Sequence, residues 1–259
     1  MARDADSALT RRRKIASLVR EQSRCTVNDL ARQFDVTTAT IRTDLAALEA
    51  EGKVVRTYGG AVPASGMPRE ASPELRGYAA EKRRIAHAAL PLVGSEETIV
   101  LATGTTVLAF ARALARSNVH DLRIITPDLN VALALDARDD FTVIVLGGEL
   151  SHRQQYSYGD QAELMAGAFH AQKCFMSTMG VSLEAGLTAP DVRAAQLDRR
   201  LLSMAGEHTL LADASKLGVV ALERFADLGQ MDNVVMDDSV DDQTARAIGS
   251  LGVNLVLAP

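Results

Sequence analysis

Between residues 26 and 58 the apolar positions keep a helical period twice and then change to a strand period. Val27, Leu30, Ala31 and Phe34 share one face of a short helix. Asp35-Val36-Thr37 reads as a turn. A second helix, starting at Thr37 or Thr38, carries Ile41, Leu45 and Leu48 as a core stripe. That stripe turns Thr38, Thr40, Arg42 and Thr43 outward. Gly52 stops the helix, and Lys53 to Tyr58 alternates before Gly59-Gly60, the pattern of a two-stranded wing with Lys53 and Arg56 at phosphate height. Upstream, Arg11, Arg12, Arg13 and Lys14 open a first helix whose inner face is Ile15, Leu18 and Val19, while Met1 to Leu9 have no periodicity and are predicted to fray. Two helices joined by a short turn also occur as plain packing hairpins. Short hydroxyl side chains and an arginine at the start of the second helix, followed by a basic wing, suit a reader of the DNA major groove.

Beyond the linker the pattern alternates. Helices are predicted over 81–93, 107–116, 129–137, 191–207 and 242–251. Strands are predicted over 98–102, 122–126, 141–147, 173–178, 208–213, 233–238 and 253–258. The strands are continuous apolar runs rather than alternating ones, which predicts an α/β sheet covered on both faces.

Composition divides the chain at the same place. Residues 1–60 carry 11 Lys plus Arg against 8 Asp plus Glu, and the rest carries 17 against 25, within a net charge of −5. A basic head on an acidic body fits nucleic-acid contact at one end only, and the run around Arg12 supplies sequence-independent phosphate attraction. We therefore expect a winged helix-turn-helix over 1–60, a linker over 61–77 holding three prolines, two glycines and two serines, and an α/β domain over 78–259. No run of apolar residues is long enough for a membrane span, and the charged N-terminus is unlike a secretion signal. Cys25 and Cys174, one in each domain, point to reduced thiols in the cytoplasm. The five histidines and two cysteines lack metal-ligand spacing, so neither a metal nor a cofactor is expected.

Ligands of such sheets bind at the carboxyl ends of strands. There the sequence places Thr103-Gly104-Thr105-Thr106 before a helix, a cradle for an anion. Asp128 follows another strand, Gly147 and Gly148 a third, and Asp213 with Lys216 a fourth. Any one of these is also an ordinary strand-to-helix turn. Together they suit a small polar anion such as a phosphorylated sugar, with Asp128, Asp213 or Lys216 near its hydroxyls.

The head resembles the DeoR family of transcriptional regulators through Arg11, Ile15, Val19, Thr37, Thr40, Ile41, Arg42, Thr43, Asp44 and Leu45, and through the RTYGGAV segment from Arg56 to Val62. Thr43 stands where that family usually has Lys, Arg, Asn or Gln. The body resembles the family's sensor domain, similar in fold to ribose-5-phosphate isomerase, through Gly104-Thr105-Thr106, Thr126, Asp128 and Asn130, 147–150, 186–188 with Asp191, and 212–218. Departures are Ala102 and Thr103 in place of Asp-Ser, Ser177-Thr178-Met179-Gly180 in place of Gly-Ala-Asp-Gly, and Ala194 and Asp198 in place of an acid and a base. The resemblance implies a repressor of a carbohydrate uptake or catabolic operon, a homodimer or homotetramer on double-stranded operator DNA, released by a phosphorylated sugar or related metabolite. The losses leave two other readings: a constitutive DNA-binding regulator with a degenerate sensor, or a sugar-phosphate isomerase fused to a DNA-binding head.

Overall fold

A computed structural model describes residues 10–19, 25–51, 53–57, 59–63, 78–152 and 154–259. The expected fraying of residues 1–9, the helix stop at Gly52, Tyr58 of the wing and residues 64–77 of the linker lie outside these. The chain divides into two compact units, residues 1–77 and 78–259.

In the first unit, helix α1 (10–19) is followed by strand β1 (Cys25–Thr26), helices α2 (Val27–Phe34) and α3 (Thr38–Ala50), and strands β2 (Val54–Thr57) and β3 (Gly60–Pro63). The side chain of Thr26 accepts from Asp29 N and caps α2, and Asp35, left-handed at φ 50°, ends it. Thr37 then caps α3. Ile15, Val19, Leu30, Ile41, Leu45 and Leu48 meet in a buried core, so the predicted inner faces are the observed ones. The wing differs from the expectation of two strands. It has three, in the order β1-β3-β2, because Cys25–Thr26 pairs antiparallel with Ala61 and Gly60. A Cβ at Gly60 would overlap Cys25 O, so glycine permits that third pairing. Residues 61–63, expected to begin the linker, are therefore strand.

The second unit is built on a parallel seven-stranded sheet. Its strands are β4 (Thr98–Leu101), β5 (Arg123–Thr126), β6 (Thr142–Val145), β9 (Ala171–Met176), β12 (Ala205–Leu211), β14 (Asn233–Asp237) and β15 (Asn254–Ala258), in the order β15-β14-β12-β9-β4-β5-β6. Helices α4 (Ala79–Ala89), α5 (Thr105–Leu114) and α6 (Leu129–Leu135) pack Ile85, Phe110, Leu114 and Val131 against one face, where Ile99, Leu101, Phe175 and Val235 point. On the other face, Val100, Cys174, Met176 and Val234 meet Ala162 of α7 (Asp160–Ala166), Leu197 and Leu201 of α8 (Val192–Leu202), and Ile248 of α9 (Asp242–Gly249). Both faces are buried, which is why the strands read as unbroken apolar runs.

Besides α7, two additions were absent from the sequence pattern. A short hairpin, β7 (Glu149–Leu150) with β8 (Ser157–Tyr158), follows β6. A separate antiparallel sheet joins β10 (Gly180–Ser182), β11 (Gly186–Ala189) and β13 (Glu223–Ala226) in the order β10-β11-β13. The helix expected over 191–207 ends at Leu202, because the chain enters β12 at Ala205 and pairs there with Ala171.

Candidate functional site

The exposed face of α3 is the candidate reading surface of the first unit. Arg42 and Thr43 are exposed, while Thr38 and Thr40 are half-buried. Arg42 makes no ion pair with any described residue, which leaves its guanidinium available to a base or a phosphate. The hydroxyls of Thr37, Thr40 and Thr43 are already engaged. Thr37 Oγ1 accepts from Thr40 N at 3.2 Å and lies 2.9 Å from Thr40 Oγ1, so both hydroxyls serve the N-cap. Thr43 Oγ1 donates back to Ala39 O at 3.1 Å.

The basic residues also have internal partners. Arg11 Nε and Arg12 Nε lie 2.6 and 2.9 Å from the two carboxylate oxygens of Asp44, which is buried. Arg12, expected to meet phosphate, helps fasten α1 to α3 through its Nε and stays partly exposed. Arg56 donates to Glu49 through its backbone N and its Nε, and these bonds hold the Glu49 carboxyl below its ordinary range. Lys53 pairs with Glu51 at 2.7 Å. The wing cations stay half-exposed, so they still face solvent, but each with its charge already partly balanced.

In the second unit the polar strand ends converge where the strand order reverses. The chain runs from β4 outward through β5 and β6, then returns to the other side of β4 as β9. Ligands of open parallel sheets bind in the crevice at such a point. On one side of it lies Thr103-Gly104, leading into α5 at Thr105, with Thr106 buried. On the other is Ser177, which lies beyond β9 and whose hydroxyl donates to Thr103 O at 2.9 Å. Gly104 has φ 121°, and a Cβ there would overlap Ser177 Oγ. Only glycine suits both the backbone angle and the contact.

Asp128 completes this side. It is buried, caps α6 by accepting from Asn130 N at 2.8 Å and Val131 N at 3.4 Å, and takes a long 3.5 Å bond from Gly104 N. Burial pushes its carboxyl up, against the amide bonds that favour the charged form. Gly147 and Gly148 are exposed and serve the β7–β8 hairpin; a Cβ at Gly148 would overlap Tyr158 O or crowd Ala162. The hairpin packs beside Asp128 through Leu129 N to Gln155 O and Ser157 N to Pro127 O. Tyr156 and Tyr158 from it, with Asp191 and Arg193 from the start of α8, line a cleft of about 460 Å³.

Asp213 and Lys216 lie past the end of β12. Asp213 is fully buried, its Oδ1 accepts from Ser215 Oγ, and its Oδ2 has no hydrogen-bond partner among the described residues. Three residues here were missed by sequence reasoning. Lys82, on the first turn of α4, is buried, and its ammonium is pushed down by that burial while Asp213 opposes the shift. Ser177 was noted only as a departure, within a run read as strand. Asp198, noted only as a departure, is buried; burial first, then Asp191, pushes its carboxyl up to about 7. A lysine within a polar helical stretch such as EKRRIA has no signal of burial. Among the described residues no group of His, Cys, Asp or Glu side chains is placed to hold a metal ion, and no helix is long and apolar enough to cross a membrane.

A helix-turn-helix with a wing, followed by a doubly covered parallel sheet with polar strand ends, defines a DNA-binding transcriptional regulator with a ligand-sensing body. The chain belongs to the DeoR family: residues 11–65 match the DeoR-like helix-turn-helix domain and residues 78–238 the DeoR C terminal sensor domain. It is 31% identical over 251 residues to the putative aga operon transcriptional repressor of Escherichia coli O157:H7, covering 95% of this chain and 93% of that one. It is 29% identical to the glycerol-3-phosphate regulon repressor of Escherichia coli K12, covering 86% of this chain and 88% of that one. Among solved structures, ribose 5 phosphate isomerase A from Neisseria gonorrhoeae aligns over 54% of each chain at 19% identity, with a TM-score of 0.41.

Proposed function

We propose that the protein represses genes for uptake or catabolism of a carbohydrate and leaves its operator when a phosphorylated sugar or related metabolite binds the second unit. The carrying observation is the crevice between β4 and β9. There the first amides of α5 follow Gly104 and suit a phosphate. The buried carboxyls of Asp128 and Asp213, with Lys216, stand at neighbouring strand ends and suit hydroxyls. The relatives named for the aga operon and the glycerol-3-phosphate regulon support the same reading. Binding lowers DNA affinity only if the ligand prefers the arrangement that DNA disfavours.

We read the chain as a regulator rather than an enzyme. Aldose–ketose isomerisation needs a carboxylate base and a partner acid over adjacent carbons. Met179, 43% exposed, occupies the place where the family's sensor segment carries its acid. One winged head reads few base pairs, so the acting species is a homodimer or homotetramer on a two-half-site operator, in the cytoplasm. The loss of that acid and of the one replaced by Ala102 also favours a second reading, a constitutive regulator whose sensor no longer binds.

The test is a gel shift on operator DNA titrated with a panel of sugar phosphates, beside thermal shifts of the free protein. A metabolite that stabilises the protein and releases the DNA supports the proposal. If none does either, the constitutive reading replaces it.

A further inference from the structure

We propose that Thr43 reads a thymine through its methyl group, so that each operator half-site contains one thymine whose C5-methyl is needed for tight binding. A threonine hydroxyl has one hydrogen to donate. That of Thr43 goes to Ala39 O, one turn earlier on its own helix, at 3.1 Å. Thr37 and Thr40 share one such hydrogen at the cap, where their Oγ1 atoms lie 2.9 Å apart. Thr43 is nevertheless exposed beside Arg42, on the face the core leaves outward. With its hydroxyl turned to the backbone, the group it shows to a groove is the γ-methyl.

The neighbours on that face point the same way. Ala39 and Ala46, one turn to either side, are exposed and present only a methyl each. Next to Thr43 the exposed side chains are thus the methyls of Ala39 and Ala46 and the Arg42 guanidinium. In the major groove only thymine offers a methyl, and apolar side-chain contact is how it is distinguished. A hydroxyl held this way is a weak substitute for the longer side chains that reach guanine or adenine bidentately. The inference does not depend on the sensor's ligand.

The experiment selects binding sites from random DNA with the full-length protein, then replaces each selected thymine in turn with deoxyuridine, which removes only the methyl. One position per half-site should lose affinity by about fourfold, the value of one buried methyl. Two variants then separate the groups. Thr43→Ser keeps the bond to Ala39 O and lacks the methyl, so it should bind thymine and deoxyuridine sites equally. Thr43→Val keeps a methyl and lacks the hydroxyl, so it should preserve the wild-type ratio. Because each result is a ratio on one protein, a general loss of affinity cancels. The proposal is overturned if no selected thymine is sensitive, if Thr43→Ser keeps the wild-type ratio, or if Thr43→Val loses it.

Discussion

Arg11 and Asp44 stand 33 positions apart in the chain, yet the Arg11 Nε and a buried Asp44 oxygen are 2.6 Å apart. Arg12 takes the other oxygen. One carboxylate thus ties α1 to the recognition helix through two charge-assisted bonds. Its removal leaves two part-buried guanidiniums without that counter-charge. Asp44→Ala should destabilise the head by about 3 kcal/mol. Arg11→Ala and Arg12→Ala should cost less, since each leaves the other bond in place. Thermal unfolding of the full chain checks this, and an Asp44→Ala protein melting with the wild type would refute the clamp. Loss of DNA binding in Arg12→Ala should accordingly track loss of stability rather than a missing phosphate contact.

Arg42 behaves differently because no described residue of the head pairs with it. Arg42→Ala should leave the melting temperature unchanged and weaken operator binding by about 1–3 kcal/mol. Arg56→Ala should have a smaller effect, seen mainly as a shallower salt dependence, since Glu49 already balances much of its charge. Gel shifts at two salt concentrations separate the two, and equal behaviour of the variants would remove Arg42 from the reading surface.

The head was legible in the sequence because each signal there is local. Thr26 and Thr37 cap the helices they precede, and Ile41, Leu45 and Leu48 recur at helical spacing into one core. Partner choice was not legible. A run such as Arg11-Arg12-Arg13-Lys14 shows charge but not the acid 33 residues away that claims two of its members. In the body, long apolar strands announced themselves, whereas β7, β8 and β10 hold two or three residues each and leave no period to read. The α7 segment Asp160–Ala166 is a short helix in which only Ala162 and Ala166 are buried, too few to show a face. The crevice between β4 and β9 depends on the order of strands. Its glycine was visible in the sequence, but its contact with Ser177 appears only when the two strand ends are side by side.

Asp198 should make stability depend on pH. Its carboxyl is pushed up to about 7 in the folded protein, by burial first and by Asp191 second, with Arg199 opposing. Between the ordinary aspartate value of about 4 and 7, the native state holds a proton that the unfolded chain has released. Native stability therefore falls as pH rises through that window and levels off above it. Asp198→Asn has no such proton. Its stability relative to wild type should rise by about 2 kcal/mol between pH 5 and pH 8. Urea unfolding of both proteins at the two pH values measures this, and any fixed effect of the asparagine cancels. A constant difference would mean that Asp198 titrates in its ordinary range.

Gly104 offers the sharpest test of where a phosphate sits. At φ 121°, with Ser177 Oγ in the place of its missing Cβ, it tolerates no side chain without a shift of the loop or of the residue following β9. Gly104→Val should therefore cost about 1–3 kcal/mol of stability in the second unit. It should also close the approach to the first amides of α5, so that sugar phosphates no longer release the DNA, while operator binding in their absence is preserved. Strain and blockage act together in this variant, and Ser177→Ala separates them. It removes the hydroxyl bond to Thr103 O but leaves the glycine and the approach open, so its response should remain close to the wild type. Lys216→Ala should need a higher effector concentration, with unchanged DNA affinity. The measurement is a gel shift at increasing sugar phosphate for the four proteins. If the wild type responds and Gly104→Val responds identically, the phosphate does not lie on Thr103 to Thr106, and the crevice would have to be read from the Asp213 side instead.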